Sequence, residues 1–394
     1  MRRSLETALS IADLRSLARR TLPRFLYDYL DGGVEDETGL NRNVDAFAQH
    51  AFVPRYLRDV EEARGTTKLF GRTYEQPFGI APTGFAGLLR PGADLMLARA
   101  AAGRGIPFIL SGVSNTSLED ACHHGLRQTW LQLYPSKDKS IALDVIDRAA
   151  RVGIDHLVVT VDIPVGSKRE RDLRNGFGLP WKHNSRATME ALLHPGWLLR
   201  FLNNGGLPFF EDWRPYAGRQ ASPMQVANFV RTQSPAQVTW TDIKEFRRRW
   251  GGKLILKGIM HPDDARQAVG HGVDGIIVSN HGGRQLDRAA SSLTALRAVR
   301  AAVGSALPVM MDGGVRRGAD VALALCFGAS FVFVGRPTLY GVAAGGKKGA
   351  TKAIDILADE LLRVLRQVGV REVGELDTSL LLASSRPEVG LLPS

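Results

Sequence analysis

Short apolar runs rich in β-branched residues alternate with stretches of helical periodicity between residues 78 and 335. The runs are Phe78–Pro82, Pro107–Ser111, Thr129–Tyr134, Leu157–Asp162, Leu254–Lys257, Ile276–Ser279, Pro308–Asp312 and Phe331–Gly335. Runs this short and this continuously apolar read as strands buried on both faces. Between most of them lie amphipathic segments: Leu95 to Arg104, Ile141 to Val152, Asp263 to His271, Ser292 to Val303 and Ala319 to Phe327. Repeated β-α units of this number predict a closed (β/α)8 TIM barrel in preference to an open doubly wound sheet. No G-x-G-x-x-G follows the first run, which counts against a dinucleotide-binding half.

The chain reads as one domain, 1–394, with three additions to the barrel. Residues 1–65 form a helical lead-in: Ser10 to Asp13 resembles a helix start, and Pro23 restarts a helix that carries Tyr27, Asp28 and Tyr29 and stops at Gly32-Gly33. Residues 175–240 break the β-α spacing with Pro180-Trp181, Pro195-Gly-Trp197, Gly205-Gly206, Pro208-Phe-Phe210 and Trp213, aromatic and basic but weakly periodic. Such an insertion is expected to be a lid, a partner surface or a membrane contact, with a disordered surface loop as the plainer reading. Residues 342–394 are expected to form a helical tail, loose at Gly345 to Lys348, helical from Ile354 to Val368, and without chemistry.

Charge narrows the partners. Lysine and arginine number 51 against 40 acidic residues, a net charge of +11 that favours anionic ligands. Nucleic acid is not expected, because no zinc-finger spacing, aromatic RNA-binding pattern or continuous basic helix is present. Cys122 and Cys326 are far apart in sequence, which predicts neither a disulfide framework nor a cysteine metal site and fits a reducing cytoplasm. Glu6, Asp13 and Arg15 interrupt any secretory core, and no uncharged apolar run reaches membrane-spanning length, so a soluble or peripherally attached protein is expected.

In a barrel of this kind chemistry collects where the strands end, at the C-terminal mouth. The residues there are Thr83, Ser111, Gln132 with Tyr134, Thr160 with Asp162, Lys257, Ser279 with His281, Asp312, and Gly335-Arg336. None is a bulky aliphatic. Singly, each has an ordinary reading: His281 and Arg284 as a polar loop, Tyr29 as a core aromatic, Lys257 as half of an ion pair. Together they converge on one rim. Asp312-Gly313-Gly314-Val315-Arg316 and Gly335-Arg336 place glycine backbone and forked donors where barrels hold a phosphate. Lys257 would then be a fixed charge beside an electron-rich cofactor ring.

The stretch from Ser279 to Asp287 resembles the signature of the FMN-dependent L-2-hydroxy acid oxidising family. The similarity runs from Leu22 to Tyr29 through Ala81 to Gly84, Trp130 to Tyr134, Thr160 to Asp162, Lys168 to Asp172, Leu256 to Gly258 and Asp312 to Arg316 to Gly335-Arg336. The resemblance implies His281 as general base, Asp162 orienting its imidazole, and Tyr134 contacting the hydroxyl that becomes the keto oxygen. Arg284 and Arg169 would clamp the carboxylate, helped by Tyr29. FMN would be held by Pro82, Thr83, Gly84, Ser111, Gln132, Thr160, Lys257 and Ser279, with Asp312, Gly313, Gly314, Val315, Arg316, Gly335 and Arg336 around its phosphate.

Where glycolate oxidases resemble one another in an alanine and a tryptophan, this chain has Gly84 and Val113, which should enlarge the space beside the flavin. That leans towards the mandelate and bacterial lactate dehydrogenase branch, in which the stretch equivalent to 175–240 is membrane-associated. The resemblance thus implies an L-2-hydroxy acid of lactate or mandelate type, a quinone, cytochrome or O2 as acceptor, and a location in the cytoplasm or peripherally on the inner face of the membrane. Relatives are often tetramers. The alternatives are an oxidase releasing hydrogen peroxide and a barrel that binds phosphate ligands or membrane without turnover.

Overall fold

The computed structural model describes residues 4–178, 184–218 and 220–383; Pro180-Trp181 of the insertion lie outside the described residues. Eight parallel strands close into a barrel. They are β1 (Phe78–Ile80), β2 (Phe108–Leu110), β3 (Thr129–Leu133), β4 (His156–Thr160), β5 (Lys253–Lys257), β6 (Gly275–Val278), β7 (Val309–Asp312) and β8 (Phe331–Val334). The last strand returns to the first, with Val332 opposite Phe78. Every predicted run supplies one strand. Nearly every strand residue is buried, because one face meets the helices and the other fills the barrel. The filling is large: Trp130, Ile109, Ile255, Met310, Phe331 and Phe333 pack inside.

A hairpin of Thr67–Leu69 and Arg72–Tyr74, not anticipated from sequence, closes the N-terminal end. Its turn, Phe70-Gly71, has both φ angles positive (51° and 78°), the geometry that lets two short strands fold back tightly. Leu69 and Tyr74 pack from below onto the side chains that fill the barrel.

The lead-in holds three helices. Ile11–Thr21 starts as expected, with Ser10 and Asp13 forming a reciprocal cap, and Arg24–Asp31 ends at Gly32. The third, Thr38–Ala48, was not foreseen. It packs through an amide pair: Asn43 Nδ2 donates to Asn280 Oδ1 (2.7 Å) and Asn280 Nδ2 donates to Asn43 Oδ1 (2.9 Å).

Two expectations need correction. The described part of 175–240 is helical where a weakly periodic loop was read, with helices at Ser185–Leu192, Pro195–Asn203 and Pro223–Gln233. Indole donors tie it to the barrel: Trp213 Nε1 to the Gly112 carbonyl (2.6 Å) and Trp197 Nε1 to that of Leu88 (3.0 Å). Few residues of its first two helices are buried: Trp197 packs edge-on against Phe25 of the lead-in, and beyond them Phe210 packs against Phe85. The tail helix also begins earlier, at Arg336 directly after β8, and runs to Val368 with non-helical angles only at Gly345 and Gly346. Its N-terminus therefore belongs to the mouth.

Candidate active site

All eight barrel strands bring residues at or just beyond their C-terminal ends to the site. β6 ends at Val278, and the chain turns at once so that His281 adopts φ +59°, a left-handed angle uncommon for a residue with a side chain. Its amide donates to Ser279 Oγ (3.0 Å), which fixes the turn. The following glycines permit a close approach: a Cβ on Gly283 would lie 2.5 Å from the Leu40 backbone. The lead-in helix Thr38–Ala48 thus presses directly on the loop that carries His281 and Arg284.

The imidazole is held from both sides. Its Nδ1 lies 3.0 and 3.2 Å from the two Asp162 oxygens, and its Nε2 lies 3.4 Å from the Tyr134 hydroxyl. Burial lowers the His281 pKa; Asp162 pushes it back up, but the net direction is down. Burial, the largest influence, pushes the Asp162 carboxyl up, yet His281, Lys257 and a backbone hydrogen bond together bring the net shift downward. The pair therefore rests as a neutral imidazole beside a carboxylate, the state a general base needs.

Arginines form the outer wall. Arg284 Nη1 donates to the carbonyls of Tyr29 (2.8 Å) and Gly32 (3.0 Å), and its guanidinium lies 4.8 Å from the Tyr29 ring centre. Burial and the charge of Arg169 bring its pKa down to about 10. Arg169 is steadied by Ser167 Oγ (3.2 Å). Arg336 donates to Leu30, Gly282 and Gly32 carbonyls, and burial takes it down to about 9. Both remain cations at neutral pH and both have donors to spare for an anion.

On the floor, Lys257 Nζ reaches Ser279 Oγ (3.0 Å) and Asp312 Oδ2 (3.3 Å), so the lysine has an acidic partner and still lines the cavity. Gln132 Oε1 accepts from Ser111 Oγ (3.3 Å) and the Gly112 amide (3.1 Å). Its Nε2 has no partner, and neither does Thr160 Oγ1, although these residues are 0% and 3% exposed. Leaving such groups unpaired is costly, which marks them as contacts for a bound molecule.

A cavity of about 340 Å³ unites the parts. Of the predicted residues, Tyr29, Pro82, Thr83, Gly84, Tyr134, Arg169, Lys257, His281, Arg284, Asp312 to Arg316, Gly335 and Arg336 line it. Ser111, Gln132, Thr160, Asp162 and Ser279 lie beside or beneath them. A Cβ on Gly84 would lie 2.5 Å from Val113 Cγ2, so the room left by the missing methyl is partly taken by Val113 itself. Val230, Arg231, Ser234 and Pro235, which carry no motif, reach the cavity from the insertion. Phe85, an ordinary apolar residue directly after Gly84, also lines it.

The model of the FMN-dependent dehydrogenase family matches residues 18–383. The chain belongs to that family. It is 39% identical to a putative L-lactate dehydrogenase of Mycobacterium tuberculosis over 95% of its own length and 89% of that protein. It is 38% identical to (S)-mandelate dehydrogenase of Pseudomonas putida, covering 95% of this chain and 94% of the other. Among solved structures, the monotopic membrane protein (S)-mandelate dehydrogenase superposes with a TM-score of 0.91 at 38% identity, over 95% of this chain and 99% of that one. As an FMN-dependent dehydrogenase the protein is an oxidoreductase. The unpartnered Gln132 amide and Thr160 hydroxyl fit the hydrogen-bonding edge of a flavin ring, and the arginine-lined loops fit its phosphate.

Proposed function

We propose that this dehydrogenase oxidises an L-2-hydroxy acid to the 2-oxo acid. The observation that carries the reading is the arrangement of His281, aligned by Asp162 and facing Tyr134, at the same rim as Arg284 and Arg169. FMN, when bound, takes up the two electrons released as the C–O single bond becomes double. The chain's residues do the rest. Arg284 and Arg169, with Tyr29, bind the carboxylate and orient the acid. Tyr134 contacts the hydroxyl oxygen. His281 Nε2 takes the proton, and Asp162 stabilises the imidazolium that results. Gln132, Thr160 and Ser111 would hold the ring, Pro82 to Gly84 and Lys257 its reactive part, and Gly314, Arg316, Gly335 and Arg336 the phosphate.

The test is anaerobic mixing of the holoenzyme with L-lactate or (S)-mandelate. The flavin absorbance should bleach, and His281→Ala should slow bleaching by roughly 100- to 10,000-fold. Undiminished bleaching in that variant would remove the base assignment. Admitting a quinone or oxygen afterwards separates a dehydrogenase from an oxidase.

The insertion supports peripheral membrane attachment. Leu192, Leu193, Leu199 and Leu202, on helices Ser185–Leu192 and Pro195–Asn203 and the link between them, are 58–69% exposed beside Arg186 and Arg200. Leucines with arginines suit an anionic lipid surface, and no helix among the described residues is long and apolar enough to cross a membrane.

A further inference from the structure

We infer that the substrate carries an extended apolar side chain, longer than the methyl of lactate, housed in a second chamber behind Phe85. This deepens the reading above and rests on it. The first cavity is bounded on one arm by Pro82 to Gly84, Gly313 to Arg316 and Arg336, and on the other by the carboxylate-binding arginines. Its roughly 340 Å³ lies near the lower end of what one small-molecule site occupies, so a flavin and the polar head of the acid leave no volume for a long substituent.

A second cavity of about 370 Å³ adjoins it, sharing Tyr29, Phe85, Gly166, Ser167, Arg169 and Arg231 as walls. Its remaining lining is chiefly apolar: Leu88, Phe177, Leu207, Pro208, Phe210 and Ala227. Arg169 faces both spaces, so a carboxylate paired with it stands at the junction, and a substituent on the neighbouring carbon can enter the second. Phe85 divides them. It holds φ +60°, a left-handed angle disfavoured for a residue with a ring, and packs edge-on to Phe210 (4.9 Å between ring centres) and Tyr29 (5.6 Å). The polar groups at the chamber wall do not invite a second acid: Asp172 is buried there, Asn115 Nδ2 is engaged by the Phe209 carbonyl (2.9 Å), and Arg231 is exposed at the rim. The occupant is therefore alkyl or aryl.

The experiment measures anaerobic flavin reduction by straight-chain L-2-hydroxy acids of three to ten carbons. Calorimetry of the matching 2-oxo acids on oxidised holoenzyme gives affinity independently of turnover. Affinity and kcat/KM should rise by about fourfold per methylene once the chain passes Phe85, until the chamber is full. Leu207→Trp and Ala227→Phe each narrow the chamber they line. Each should lower the ratio of eight-carbon to three-carbon kcat/KM by at least about 15-fold, equivalent to two or more methylenes. Leu207 is only half-buried, so its variant tests the chamber even if the tighter Ala227 site fails to fold.

A flat series with lactate still active overturns the inference and leaves the 2-hydroxy acid reading standing. A ratio unmoved by Leu207→Trp overturns it as well, and loss of quinone-dependent reoxidation in that variant would assign the chamber to an apolar acceptor. If no acid bleaches the flavin at any length, both readings fall.

Discussion

Arg284 and Arg336 donate to one acceptor, the Gly32 carbonyl, at 3.0 and 2.7 Å. That oxygen lies at the C-terminal end of helix Arg24–Asp31, where backbone carbonyls carry partial negative charge. The residue proposed to grip the substrate and the residue proposed to grip the cofactor phosphate are thus aligned by one atom of the lead-in.

The shared acceptor predicts coupling. Arg284→Lys should raise KM for the acid and Arg336→Lys should weaken FMN retention, because a lysine cannot keep the forked contacts. The double variant should depart from additivity by about 0.5–3 kcal/mol, read as FMN and 2-oxo acid dissociation constants in a double-mutant cycle.

Thr160→Val separates holding a cofactor from holding a fold. The hydroxyl has no protein partner, so the apoprotein should melt no lower than the parent, while FMN affinity should fall by roughly 5- to 150-fold. Fluorescence titration of the apoprotein with FMN, beside thermal melting, reads both.

The lowered His281 pKa sets the acid limb. Flavin reduction should be flat around neutrality and should fall tenfold per pH unit only below the ordinary histidine value. Asp162 raises the His281 pKa, so Asp162→Asn should move that limb to still lower pH while slowing the reaction. Stopped-flow rates across pH decide it; a limb moving upward would contradict the pairing.

Gly283→Ala should destabilise the protein by more than the roughly 1–3 kcal/mol of a strained angle, since the added methyl also meets the Leu40 backbone. Denaturant unfolding measures this directly.

Leu199→Asp with Leu202→Asp should shift the protein from the membrane pellet to the supernatant. Each leucine is worth about 1.5–3 kcal/mol when buried in an apolar phase. Flavin reduction should be unchanged. A protein that sediments as before would remove the proposed lipid contact.

The barrel was legible because parallel strands covered on both faces must be apolar throughout, as β4 and β6 are. The mouth was legible because polar residues at those strand ends interrupt the apolar pattern. Helix Thr38–Ala48 was not, since its buried positions are Gly39, Asn43, Ala46 and Phe47, a face with one large apolar residue that docks through the Asn43–Asn280 amide pair. The hairpin was hidden by strands of three residues each. Phe85 and Val230 are ordinary apolar residues, and only packing across the chain gives them a place beside the cavity.

The insertion divides its labour by helix: the exposed leucines sit on the pair ending at Asn203, whereas Val230 and Arg231 reach the cavity from Pro223–Gln233. The proposed lipid contact and the proposed acid chamber therefore rest on separate helices, and substitutions can alter either one while leaving the other untouched.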